Sequence, residues 1–161
     1  MVVDPGPGEP PPSLLYAVKQ VELAVRSHLD ELLRPAGVTV NQYTALTVIQ
    51  RGQAVTSAEL ARNSFVTNQS TADLVNSLER QALIKRSRDP DDRRRVLISL
   101  SQQGMSVVTE HSERVLALEQ RMVASLTTPQ VRALRRALNA CRVALTETPV
   151  DSAEGDYRAA K

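Results

Sequence analysis

Between Ile84 and Leu100 the spacing of the apolar residues changes, and that change limits the folds open to this chain more than any other feature. On either side of the segment, apolar residues recur at steps of three and four, the period of a helix that buries one face. Within it, Val96, Ile98 and Leu100 fall on alternate positions, with Leu97 between them, and that is the period of a strand. Ile84 to Ser87 and Arg95 to Leu100 both suit strands, and the Asp-Pro-Asp-Asp segment from Asp89 to Asp92 is turn chemistry. A single hairpin in an otherwise helical chain is the expectation.

The helices around it carry their own start and stop signals. Ser13 can cap a helix whose apolar positions Leu14, Val18, Val21, Val25 and Leu32 form a heptad-like seam, and Arg34-Pro35 ends it. Thr39 to Gln42 is a capping box that opens a helix through Tyr43, Leu46, Val48 and Ile49, stopped at Gly52. Thr56 to Glu59 is a second capping box and starts a short helix, Ser57 to Arg62. After a turn at Asn63 to Val66, Thr67 caps a helix from Asn68 to about Gln81, with Ala72, Val75 and Leu78 expected to face inward. Two short helices joined by a tight turn make a helix-turn-helix, and a hairpin directly after one is a wing. Ser101 then caps a long helix, Gln102 to about Leu126, and Thr128-Pro129 supplies the cap and first-turn proline of a last helix.

The predicted architecture is therefore mainly α with a small β-hairpin wing: a winged helix-turn-helix at 39–100 flanked by dimerisation helices at 13–35 and 101–148. Residues 1–12 hold five of the nine prolines and are expected to be a disordered tail, and 149–161 a flexible one. Leu14, Val18 and Val21 at one end, and Val131, Leu134, Leu138, Cys141 and Leu145 at the other, are apolar stripes that need a partner. In a chain of 161 residues a second copy of itself is the expected one, giving a homodimer. With only Phe65, Tyr16, Tyr43 and Tyr157 as aromatics, the core must be built from Leu, Val and Ala.

Charge points to a partner. Lys85 to Arg95 contains six basic residues and three acids, a local charge of +3 against a formal net charge of +2, which leaves −1 for the rest of the chain. Positive charge so concentrated fits a nucleic-acid footprint, although an isolated charge run more often marks a solvated hairpin tip. Cys141 is the sole cysteine, which excludes an internal disulfide and fits a reducing, cytoplasmic compartment. No apolar run reaches the length of a membrane span. There is no phosphate-cradling glycine loop, no nucleophile elbow and no metal-spaced histidine cluster, so neither enzyme activity nor a cofactor nor a metal site is expected.

These residues carry a resemblance. Asp92-Arg93-Arg94, then Val96-Leu97-Ile98, then Leu100-Ser101 and Gly104, together with the helix-turn-helix "TSAELARNSFVTNQSTADLVNSLERQALIKR", resemble the MarR family (multiple antibiotic resistance regulators) over roughly Ser13 to Thr148. Two departures stand out: Ala82 occupies a position where the family usually has Gly, and Asp73 one where many members place a basic residue. The resemblance implies a homodimeric, sequence-specific binder of double-stranded DNA, acting on an inverted-repeat operator as a repressor. It also implies a small aromatic or phenolic effector.

On that reading the first turn of the recognition helix, Asn68, Gln69, Ser70 and Thr71, supplies base contacts, since Asn and Gln pair bidentately with adenine and hydroxyls serve several bases. Ser57 and Thr67 join the DNA-facing set, and Asp73 could accept from a cytosine amino group. Arg86, Arg88, Arg93 and Arg95 would touch phosphates, while the resemblance implies that Asp92 holds Arg94 by a salt bridge and aims it into the minor groove. His28, Tyr43 and His111 could flank an effector pocket, or the histidines could be hydrogen-bonded packing residues. Two rival readings remain: a redox-responsive regulator built on Cys141, and a winged-helix module that binds protein through Asp73 and the wing.

Overall fold

A computed structural model of the chain describes residues 13–64 and 68–147. The expected tails at 1–12 and 149–161, and the capping residue Thr67, lie outside the described residues. The described elements are α1 (Leu14–Leu33), a short 3-10 turn (Arg34–Ala36), α2 (Val40–Gly52), α3 (Ser57–Ser64), α4 (Asn68–Arg80), β1 (Ile84–Arg88), β2 (Val96–Leu100), α5 (Gln102–Met122) and α6 (Thr128–Glu147). They fall into two compact units, one ending at Leu118 and the other beginning at Glu119. None of the described helices is long and apolar enough to cross a membrane.

Caps fix the helix starts as the local chemistry requires. The Ser13 hydroxyl accepts the Tyr16 N–H at 3.2 Å. Thr39 accepts the Gln42 N–H at 3.2 Å while the Gln42 side chain returns to the Thr39 N–H at 2.8 Å. Thr56 and Glu59 repeat that exchange at the start of α3.

In the first unit, Leu33, Leu46, Ile49, Leu60, Leu78 and Ile98 are essentially sealed from solvent and form one core with Val38, Tyr43, Val55, Val75 and Val108. The hairpin is antiparallel with Arg86 opposite Ile98, and Ile98 also exchanges both backbone hydrogen bonds with Val55 at 2.9 and 2.8 Å. Val55 lies between α2 and α3, so the wing is tied through its second strand to the helices that precede it.

Three expectations need correction. On α4 the inward residue is Thr71, 1% exposed, whereas Ala72 is exposed. Thr71 lies four and seven residues before Val75 and Leu78, which puts it on their face of the helix. The long helix α5 stops at Met122 rather than near Leu126. The cap of α6 is Thr127, not Thr128: its carbonyl accepts the Val131 N–H, and the Gln130 side chain takes the Thr127 N–H at 2.7 Å. Residues 123–126 form the turn that precedes this cap.

The end of α4 is a Schellman motif with Ala82 in the left-handed position. The Leu83 N–H reaches the Leu78 carbonyl at 3.0 Å, the Ala82 N–H reaches Glu79 at 2.9 Å, and Ala82 has φ 56°. A Cβ in that conformation is strained, so Ala82→Gly should stabilise the protein by about 0.5–1 kcal/mol, less the extra entropy that glycine gains when unfolded. Thermal denaturation should show a rise of roughly 1–4 °C, and a fall would contradict the strain.

Candidate nucleic-acid interface

The wing tip is built by two aspartates that both hold backbone, and one of them also pairs with an arginine. Asp89, whose side chain is 11% exposed, accepts the Asp91 N–H at 2.9 Å and lies 3.6 Å from the Arg95 guanidinium. Asp92 accepts the Arg94 N–H at 3.0 Å through its carboxylate and the Arg95 N–H at 2.9 Å through its carbonyl. Among the described residues no ion pair joins Asp92 to the Arg94 side chain, so the salt bridge implied by the resemblance is replaced by a side-chain turn. The reason is proximity: a carboxylate meets the amide two residues on before it meets a long side chain.

This scaffold leaves Arg88, Arg93, Arg94 and Arg95 exposed. Arg88 donates to the Arg93 carbonyl at 3.1 Å and braces the far side of the tip. Arg86, expected to touch phosphate, instead pairs with Glu79 at 3.0 Å and donates to Asn76, both on α4.

On the helix-turn-helix, Ser57, Ser70 and Asp73 are exposed, and Thr71 is too deeply buried to reach a base. Asn68 and Gln69 begin α4, the helix whose later residues Val75 and Leu78 enter the core. Glu59, in the second capping box, has its carboxyl held below the usual carboxylate range, first by the Thr56 N–H and then by the Thr56 hydroxyl.

The candidate effector residues separate. Tyr43 and His111 are both buried and meet edge to face, with ring centroids 6.5 Å apart. The Val107 carbonyl, 2.9 Å from His111 Nδ1, can only accept, so that nitrogen carries the proton. Burial pushes the Tyr43 phenol above its usual range. His28 stands exposed on α1 instead of joining them.

The dimer candidates Leu14, Val18, Val21, Leu134, Leu138, Cys141 and Leu145 are all exposed in the single chain, and Val131 is half-buried. Among the described residues, no group of three or more His, Cys, Asp or Glu side chains could hold a metal ion.

A model described as MarR family matches residues 36–95, the span from the turn before α2 to the wing tip. An uncharacterised HTH-type transcriptional regulator of Bacillus subtilis, YdcH, is 32% identical over 108 residues, covering 65% of this chain and 71% of its own. The chain belongs to the MarR family.

The HTH-type transcriptional repressor Rv2887 of Mycobacterium tuberculosis is 28% identical over 123 residues, 76% of this chain and 88% of its own. A mutant MarR from E. coli, solved in complex with operator DNA, shares the fold with a TM-score of 0.71 at 24% identity, covering 80% of this chain and 92% of that one. The winged helix-turn-helix architecture is thus that of MarR proteins. Sequence reasoning missed three of its parts: the Val55 bridge, the Arg86 clamp and the backbone role of Asp92.

Proposed function

We propose that this MarR-family transcriptional regulator binds an inverted-repeat operator as a homodimer and represses transcription. The observation that carries the reading is the wing tip, where Asp89 and Asp92 shape a turn that presents four exposed arginines beside a helix-turn-helix. Such a tip matches the minor groove, whose narrow stretches concentrate negative potential, while α4 matches the major groove in width. Repression is supported by the named activity of the mycobacterial relative, and operator binding by the DNA-bound E. coli protein. An aromatic effector remains what the family resemblance implies.

Salt dependence tests the DNA reading. Operator affinity should fall steeply as salt rises, by about 0.9 in log–log slope for each phosphate contact, and a flat response would remove its physical basis. The wing makes a sharper prediction. Arg94→Ala should weaken specific binding strongly, and Asp92→Ala should weaken it too despite removing a negative charge, because the Arg94 N–H loses its acceptor. Asp92→Asn keeps an acceptor oxygen and should bind at least as well as the parent. Titration of a labelled operator with the three variants reads all of this, and tighter binding by Asp92→Ala would refute a positioned tip.

A further inference from the structure

Three residues, Arg86, Glu79 and Asn76, join the wing to α4. Asn76 and Glu79 are three apart on α4 and so share a face. The Arg86 guanidinium crosses from β1 to both, meeting Glu79 Oε2 at 3.0 Å through the same nitrogen that donates to Asn76 Oδ1. Ser77, beside Asn76, accepts from the Gln42 side chain at 3.0 Å, which fixes this part of α4 to α2. The link between α4 and β1 is only residues 81–83, and β1 beyond Ile84 is exposed at every position.

We propose that Arg86 is a positioning residue: with Glu79 and Asn76 it sets the angle of the wing against α4. The N-terminal turn of α4 and the arginines at the tip then reach one duplex together. The proposal rests on the operator-binding reading. A hairpin held at its base alone can pivot, and each pivot carries the tip arginines away from the groove that α4 has aligned. Fixing the pair in advance lowers the ordering cost of binding. The share of Arg86 in nonspecific attraction is reduced, because the Glu79 carboxylate offsets its charge and its Nη2 is engaged within the protein.

The test uses the full chain, a selected operator and an unrelated duplex, measured well below the melting temperature of every variant. Glu79→Ala removes an acid, so an idle Glu79 predicts tighter DNA binding, whereas the clamp predicts a loss of roughly three- to tenfold for the operator with no loss for the unrelated duplex. Arg86→Ala should lose a similar factor on the operator and leave the salt slope unchanged, whereas a phosphate contact would lower that slope by about one unit. The charge-exchanged double variant, Arg86→Glu with Glu79→Arg, should recover most of what Arg86→Glu loses. Unchanged or tighter operator binding by Glu79→Ala, a reduced slope for Arg86→Ala, or an exchange that recovers nothing would each overturn the proposal. A parent protein that binds no duplex at all would instead bring down the operator reading, so the two failures are distinct.

Discussion

Gly104→Ala should strongly destabilise the first unit. A Cβ at Gly104 would lie 2.0 Å from the Leu83 carbonyl oxygen, and that oxygen belongs to backbone that cannot rotate aside. The same carbonyl accepts the Ser101 N–H at 3.1 Å, while the Ser101 hydroxyl donates to the Ala82 carbonyl at 2.6 Å and accepts the Gly104 N–H at 2.9 Å. Ser101 and Gly104 therefore fasten the start of α5 to the turn that ends α4, and an added methyl must prise that junction open. Overpacking of this kind costs about 3 kcal/mol. The melting temperature should fall by roughly 6–12 °C in thermal denaturation. An unchanged midpoint would mean that α5 does not approach this turn as closely as the structure has it.

Leu138→Asp should have the largest effect on assembly. Leu134, Leu138, Cys141 and Leu145 follow at steps of four, three and four along α6, and all are exposed in the single chain. A dimer that covers this stripe would bury the new carboxylate without a partner, at a cost of several kcal/mol. Sedimentation should show the protein shifting from dimer to monomer, and full-operator affinity should drop by about a hundredfold or more, since two half-sites are no longer linked. Arg136→Ala, on the opposite side of the helix, should leave both unchanged. A Leu138→Asp protein that stays dimeric would move the interface off α6.

The legible parts of the molecule are those whose causes are local in the chain. Thr39 with Gln42, and Thr56 with Glu59, announce helix starts because both partners lie within one turn. The wing is readable for a similar reason, since its turn chemistry and alternating strand sit side by side. Thr71 is harder to place, because its hydroxyl suits an exposed face while its spacing from Val75 and Leu78 puts it inside. The early end of α5 was hidden by apolar residues, Val123 and Leu126, that continue a helical spacing through a turn. Contacts between distant elements leave no periodic trace at all. The Val55–Ile98 bridge is one residue long, and the Arg86 clamp links residues seven and ten apart in different types of structure. At the candidate site, the cationic tip is legible as composition, but the engagement of Arg86 by Glu79 and Asn76 and the Asp92 contact to backbone are matters of geometry.

The Val55 bridge has a bearing on how such a protein survives at high concentration. A two-stranded sheet has two open sides, and each is a template onto which a strand from another molecule could add. Here the β2 side is closed at Ile98 by the molecule's own backbone. Among the described residues no strand covers the β1 side, which bears Lys85 and Arg88, so an approaching copy would bring like charges into register with them. The charges that suit the wing to a polyanion thus also disfavour the addition of a like strand along β1.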